Sequence, residues 1–176
     1  MIILSIGTNI GDRERNIENA IVALAEIGKV CAVSPIYTSE PWGFESENGF
    51  YNTALILESK LSPLDLLRET QRIEKELGRT AKTTTEYADR VIDIDIIDYD
   101  NQIIKISQQS TVNSLLTLPH PLMHLRNFVL YPLANIAPEW VHPILKLTTL
   151  ELKAKSEDKS IPYKNNFRKF ANRNFY

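Results

Sequence analysis

Residues 90–98, Arg90-Val91-Ile92-Asp93-Ile94-Asp95-Ile96-Ile97-Asp98, constrain this chain most. Isoleucine and valine dominate the run, so it reads as a strand. Side chains alternate faces along a strand. Asp93 and Asp95 therefore share one face, and Ile92, Ile94 and Ile96 share the other, which must be core. Two close carboxylates repel and are costly to bury without a partner. A divalent cation between them removes both penalties. Mg²⁺ suits such a pair, because it takes one or two carboxylates completed by waters and substrate phosphates. The plainer alternative is a half-exposed edge strand with a polar aspartate face. Asp98 has the opposite parity and falls near the strand end.

The 176 residues suit one domain with a sizeable core. A net charge of −2 gives no general drive toward nucleic acid or an anionic membrane. No apolar run is long enough to span a bilayer. The first residues, Met1 to Ile6, lack the basic segment and cleavage site of a signal peptide, and a cytoplasmic protein is expected. The single cysteine, Cys31, excludes an internal disulfide framework and a multi-cysteine metal site. Its apolar neighbours mark it as a small core residue.

Met1 to Ile6 reads as a buried strand that ends in the turn Gly7-Thr8-Asn9-Ile10-Gly11-Asp12. Asp12 can cap the following helix, whose apolar stripe is Ile17, Ala20, Ile21, Leu24 and Ala25, with Gly28 as its stop. Gly7 and Gly11 match neither the dinucleotide pattern nor a P-loop. Val30 to Tyr37 reads as a second strand, interrupted at Pro35. A loop with two exposed aromatics, Trp42 and Phe44, follows and runs to Gly49. Phe50 to Glu58 is a third strand, with Phe50, Asn52, Ala54 and Ile56 on one face. An aromatic beside an amide can hold a flat heterocycle by stacking and paired hydrogen bonds.

Ser62-Pro63-Leu64-Asp65 is a helix start. Leu66, Thr70, Ile73 and Leu77 form the buried stripe, and Gly78 ends the helix. Gln71 and Glu74, three apart, lie together on another, solvated face. Arg79 to Asp89 is polar and aperiodic and reads as a lid leading to the aspartate strand. Arg79, Lys82 and Arg90 would supply the charge a polyphosphate needs. Asp100-Asn101 is a hairpin-type turn into a return strand, Gln102 to Ile106. His120 and His124 are four apart, but Pro121 between them and the missing Glu argue against a helical zinc motif. Phe128 to Ile136 reads as a short helix in which Pro132 is tolerable only near the first turn, and Pro138 ends it.

Taken in order, these segments resemble the 6-hydroxymethyl-7,8-dihydropterin pyrophosphokinase family of folate biosynthesis. The resemblance runs from residue 1 to about 145. It is carried by the turn Gly7 to Asp12, Tyr37 through Gly43, Phe50-Tyr51-Asn52, Gln71 to Glu74 with Gly78-Arg79, Arg90 to Ile96, and Pro119-His120 followed by Arg126-Asn127-Phe128. It implies a ferredoxin-like α/β (α+β) fold, a mostly antiparallel sheet flanked by helices. It also implies transfer of pyrophosphate from ATP to the pterin hydroxymethyl group, with AMP leaving and two Mg²⁺ ions expected.

By the same resemblance, Asp93 and Asp95 are the metal pair, and Arg79 and Arg90 join them as catalytic residues. Ser39, Trp42, Phe50, Asn52 and Phe128 surround the pterin. Gln71, Glu74 and Thr117 lie near the adenosine end of ATP, and Lys82, Tyr87, His120 and Arg126 complete the ATP site. Ala81, Glu86 and Leu115 stand where some members carry arginines. The partners implied are small molecules, with no nucleic acid and no membrane, and the chain would act as a monomer or homodimer.

Residues 1–145 form the expected pyrophosphokinase domain, and 146–176 a C-terminal extension without a family match, packed on the same domain. From Lys153 the extension mixes basic residues with Phe167, Phe170, Phe175 and Tyr176, a pattern that also suits a partner contact. A nucleotidyltransferase or glycosyltransferase with an Asp-x-Asp metal pair would leave Phe50, Asn52 and Phe128 unexplained. A ligand-sensing or RNA-binding module would not need the paired carboxylates. A catalytically degenerate pterin- or nucleotide-binding module is the remaining alternative.

Overall fold

A computed structural model of the chain describes residues 1–79, 88–106 and 116–165. Strand β1 (Ile2–Thr8) leads through the glycine turn into helix α1 (Arg13–Ile27). The Asp12 side chain caps α1 by accepting the Arg15 N–H at 3.1 Å. Strands β2 (Lys29–Val33) and β3 (Tyr37–Ser39) follow, then β4 (Phe50–Glu58). Helix α2 (Pro63–Glu76) starts on the Ser62 cap with Pro63 in its first turn. Strand β5 (Asp93–Tyr99) carries the aspartates.

The order across the sheet is β5-β1-β4-β3, with β2 also on β4, and every pairing is antiparallel. Because β4 is inserted between β1 and the β2/β3 edge, the two β-α-β halves interlock, which is the ferredoxin-like arrangement. Helices α1 and α2 cover one face, where Ile17, Ile21, Leu24, Leu66 and Ile73 meet Leu4 and Ile6 of β1 and Ile94 and Ile96 of β5. The other face is covered by helix α3 (Asn127–Ile136) and helix α4 (Thr149–Lys155), which bury Val129, Leu130, Leu133, Trp140 and Leu152 against Ile3, Ala54 and Ile97. Strand β6 (Ile104–Ile106) pairs with β7 (Leu116–Leu118) in a separate two-stranded sheet. The last strand, β8 (Tyr163–Lys164), adds to β3.

Several expectations are corrected. Cys31 is exposed, because the β2–β4 register slips between Val30 and Ala32 and leaves it as the extra residue of a bulge on an edge strand. Ala25 is exposed, so the α1 stripe ends at Leu24. Val30 to Tyr37 is two strands, β2 and β3, each on a different part of β4. Asp100 and Asn101 do form a tight turn, with φ of 50° and 55° and the Gln102 N–H donating to the Tyr99 carbonyl at 2.9 Å. The strand after it nevertheless pairs with β7 in a separate sheet and not with β5. Pro132 is the sixth residue of α3, in its second turn, and is tolerated there at the cost of one intrahelical hydrogen bond. A slip opposite Ile3 and Leu4 pairs Asp98 with Ile3; Asp98 is fully buried and burial pushes its carboxyl pKa up.

Gly28 joins α1 to β2 where the chain passes close to the end of β4. A Cβ there would lie 2.5 Å from the Glu58 carbonyl oxygen and 3.0 Å from the Ser59 Cβ. Glu58 is the last residue of β4, and the Ser59 hydroxyl donates to the Ile27 carbonyl at 2.7 Å, so both obstacles are held in place. Gly28→Ala is therefore expected to lower unfolding free energy by about 1–3 kcal/mol. Urea unfolding measures this, and an unchanged midpoint would show that the α1–β2 corner yields without cost.

Candidate active site

The site arises where one sheet face changes character along its length. Ile3, Ser5 and Gly7 follow each other on β1; Ala54, Asn52 and Phe50 run beside them on β4; Ile97, Asp95 and Asp93 run on β5. At one end the three strands present Ile3, Ala54 and Ile97, which α3 and α4 bury. At the other end they present Gly7, Asn52, Phe50, Asp95 and Asp93, and there a pocket opens. Small residues on the central strand form its floor. Gly7 is required by close approach, because a Cβ would sit 3.2 Å from the Asn52 Oδ1.

The pocket lining combines aromatic and charged side chains: Trp42, Phe44, Phe50 and Phe128 with Ser39 and Asn52, and Glu40, Arg90, Asp93, Asp95 and Arg126. Trp42 meets Phe128 edge-on at 6.5 Å between ring centroids, and Phe44 meets Phe50 at 6.1 Å. The Arg126 guanidinium lies 4.6 Å from the Trp42 ring centroid and 5.6 Å from that of Phe128. Trp42 and Phe44, expected to be exposed, are half-buried because they fold onto these partners. The Asn52 amide nitrogen donates to the Ser39 hydroxyl at 2.9 Å, which fixes the amide plane in the pocket wall.

Asp93 is held between two arginines. Arg79 donates to its Oδ1 at 2.6 Å and Arg90 to its Oδ2 at 2.5 Å. Arg79 also pairs with Glu74, whose Oε1 accepts the Ile94 backbone N–H at 2.7 Å. Glu74 and Gln71 do not share an exposed face: Gln71 is exposed, while Glu74 turns under the sheet edge and is buried. Burial raises the Glu74 pKa to about 7, with Asp93 and Asp95 adding to the rise and Arg79 and the Ile94 N–H opposing it. Burial works to lower the Arg79 pKa, but the Asp93 and Glu74 carboxylates outweigh it and raise the value.

The glycine turn clamps the other arginine. The Asn9 Oδ1 accepts the Arg90 backbone N–H at 2.7 Å, and the Asn9 N–H donates to the Arg90 carbonyl at 3.1 Å. The Asn9 amide also donates to Asp89 at 2.6 Å, and Asn16 donates to the Val91 carbonyl at 3.1 Å. His120 is anchored to β5 through its N–H to the Ile97 carbonyl at 2.8 Å, and its Nδ1 accepts the Leu122 N–H at 3.2 Å. Burial first, and the Arg126 charge second, depress its pKa to about 4.

Nine of the expected residues thus line one pocket: Ser39, Trp42, Phe50, Asn52, Arg90, Asp93, Asp95, Arg126 and Phe128. Arg79 and Glu74 stand behind Asp93. Gln71 and Thr117 are exposed on α2 and β7 and do not line it. Lys82 and Tyr87, with Ala81, Glu86 and Leu115, lie outside the described residues. Ser5, Gly7, Glu40, Phe44 and the Asn9 clamp were missed; the alternation of β1 beside the aspartate strand was the signal for the first two.

Among the described residues no group of three or more His, Cys, Asp or Glu side chains is placed to hold a metal ion. The Asp93/Asp95 pair fits Mg²⁺ on donor chemistry, since that ion is content with one or two carboxylates and otherwise takes water and phosphate oxygens. Both Asp93 oxygens accept from arginines, so an ion bound to Asp93 would share or replace those contacts.

A family model described as 7,8-dihydro-6-hydroxymethylpterin-pyrophosphokinase (HPPK) matches residues 3–138. The chain belongs to this family. It is 42% identical over 145 residues to a 2-amino-4-hydroxy-6-hydroxymethyldihydropteridine pyrophosphokinase of Porphyromonas gingivalis, covering 81% of this chain and 94% of that protein. A protein of the same name from Aquifex aeolicus is 37% identical over 150 residues, covering 85% and 88%. Among solved structures, wild-type HPPK-DHPS of Plasmodium falciparum with pteroate matches with a TM-score of 0.70 at 16% identity. That match covers 88% of this chain but only 44% of the other, so this chain spans under half of the two-part protein, and the likeness concerns the fold. Among the described residues no helix is long and apolar enough to cross a membrane.

His120 gives this fold a pH signature. Its folded pKa of about 4 lies below the unfolded value of 6.5, so between these values the folded state binds fewer protons and loses stability as pH falls. Glu74, raised to about 7, acts with the opposite sign, because its folded form holds a proton that the unfolded chain releases above about 4.5. Comparing wild type with His120→Gln cancels the Glu74 contribution. The stability advantage of wild type is expected to shrink by up to about 3 kcal/mol between pH 7 and pH 4. Urea unfolding at both pH values reads it, and a constant difference would mean that His120 titrates normally.

Proposed function

We propose that the chain transfers the β,γ-pyrophosphoryl unit of ATP to the hydroxymethyl oxygen of 6-hydroxymethyl-7,8-dihydropterin in folate biosynthesis. The new bond joins that oxygen to the β-phosphorus. The bond from the β-phosphorus to the oxygen bridging it to the α-phosphate breaks, AMP leaves with that oxygen, and the proton of the attacking hydroxyl is released to solvent. Membership of the HPPK family carries the reaction class. The observation that carries the reading for this chain is the joining of two chemistries in one pocket: a ring seat and a carboxylate pair flanked by arginines.

The ring seat is Phe50, Phe128 and Asn52, with Ser39 and Trp42 beside them. Stacking holds a neutral bicyclic ring, and the Asn52 amide, fixed by Ser39, reads its polar edge. Phosphoryl-type transfer asks mainly for positioning and charge neutralisation. Arg90 and Arg126 in the pocket lining answer the second demand, with Arg79 behind Asp93, and His120 is assigned to the ATP site. Gln71, Glu74 and Thr117 are assigned to the adenosine end of ATP, and Lys82 and Tyr87 to the phosphate end. Two Mg²⁺ ions, when bound at Asp93 and Asp95, would supply charge neutralisation and alignment of the ATP phosphates. The substrates are small molecules, and the proposal places the chain in the cytoplasm as a monomer or homodimer.

AMP formation from ATP and Mg²⁺ tests the reading, with and without the pterin. Wild type is expected to form AMP only when the pterin is present. Asp95→Ala, which removes one carboxylate from the pair, is expected to lower kcat by on the order of 10²–10³. Pterin binding by wild type without any AMP would instead identify a binding module on an HPPK fold.

A further inference from the structure

The family model matches to residue 138, and the chain beyond it returns to α3 and β3, two elements that neighbour the pocket. Helix α3 begins beside two pocket residues, since Arg126 is its cap position and Phe128 its second residue. The Arg126 side chain makes no capping hydrogen bond. The first turn of α3 is capped from far along the chain instead. The Asp158 Oδ2 accepts the Asn127 N–H at 2.9 Å, while its Oδ1 accepts the Ser160 N–H at 2.9 Å. The buried Asn127 amide then donates to the carbonyls of Asp158 at 2.8 Å and Ser160 at 2.7 Å. A few residues on, the same segment reaches the opposite wall. Strand β8 pairs with β3, matching Tyr163 with Thr38 and Lys164 with Tyr37. Asn165 receives a hydrogen bond from the Thr38 hydroxyl at 2.9 Å and gives one to the Ile36 carbonyl at 2.9 Å. The next residue of β3 is Ser39, which orients Asn52.

We propose that residues 156–165 are a strap that sets the spacing of the two pterin walls, with Asp158 as a positioning residue for Phe128. Capping fixes where a helix begins, because the carboxylate satisfies an otherwise orphan N–H and its charge suits the helix N-terminus. Here the cap comes from outside the helix, so the direction of the first turn of α3, and with it the Phe128 ring, is set by where the strap is tied. The other end of the strap is tied to β3. The two walls therefore answer to one ten-residue segment, and among the described residues the long-range hydrogen bonds of that segment go to α3 and to residues 36–38. Pterin binding, and not the transfer step, is what the strap controls. This inference rests on the pterin reading of the pocket.

The test compares steady-state kinetics and amide hydrogen exchange for wild type, Asp158→Ala, Thr38→Val and Glu151→Ala. Glu151 belongs to the α4 capping box and lies off the strap, so its variant controls for loss of stability alone. Asp158→Ala is expected to raise the pterin KM about tenfold with kcat within about twofold, the pattern of lost uniform binding. Thr38→Val should raise it in the same direction, and Glu151→Ala should leave it unchanged. Exchange at amides 127–130 should become about tenfold faster in Asp158→Ala. An active Asp158→Ala enzyme with an unchanged pterin KM overturns the strap, as does an equal rise in Glu151→Ala. A wild type that forms no AMP overturns the pyrophosphokinase reading instead, and hydrogen exchange at 127–130 then decides the strap by itself: unchanged protection in Asp158→Ala overturns it.

Discussion

The Asp93 carboxylate lies between two guanidinium groups, and much of the architecture serves to hold it there. Edge strand β5 gives Asp93 its position, and pairing with β1 sets Gly7 directly opposite. Arg79 comes from the end of α2, and its other partner, Glu74, belongs to the same helix. Arg90 comes from the segment before β5, and Asn9 from the end of β1 pins its backbone through two hydrogen bonds. Three separate elements thus converge on one carboxylate. The glycine turn, which matches no phosphate-binding loop, serves here as a backbone clamp.

The face change along the sheet explains why the pocket lies beside this cluster. Helix α3 needs apolar strand residues beneath it and finds them at Ile3, Ala54 and Ile97. Two residues further along each strand the side chains become Ser5, Asn52 and Asp95, which a helix could bury only at a cost of several kcal/mol, roughly 1–3 for each polar group left without a partner. The helix therefore starts where the apolar patch starts, and the uncovered end of the face is available to a ligand. The division between core and site is written in the alternation of three strands.

That alternation is why so much was legible in the sequence. Phe50 with Asn52, and Asp93 with Asp95, share faces by parity alone, and the structure puts both pairs in one pocket. What parity does not carry is register. Cys31 is exposed because a bulge consumes it, and Asp98 is reoriented by a slip opposite β1. Helix periodicity places Ile73 in the core but leaves Glu74, its neighbour, on the solvent side. The burial of Glu74 depends on Arg79 and the Ile94 N–H, which lie five and twenty residues away in sequence. The Asp158 cap is a still longer-range case, 31 residues from Asn127, and no local pattern around α3 announces it.

The balance of charge within the cluster decides how it tolerates change. Glu74 and Asp93 supply two negative charges, and Arg79 and Arg90 two positive ones, so the group can be neutral as a whole while every member remains desolvated. Such a group gains little net stability over apolar packing of the same shape, because desolvation offsets most of the Coulomb attraction. Removing a single member is different, since it leaves one buried charge uncompensated at a cost of about 3–5 kcal/mol. Glu74 has a way out that the arginines lack. Its raised pKa means that a proton can replace a lost cation, whereas a guanidinium stays charged at any accessible pH. The cluster is therefore asymmetric: it can absorb the loss of Arg79 by protonating Glu74, whereas loss of Asp93 takes one carboxylate partner from both arginines at once and leaves Arg79 with Glu74.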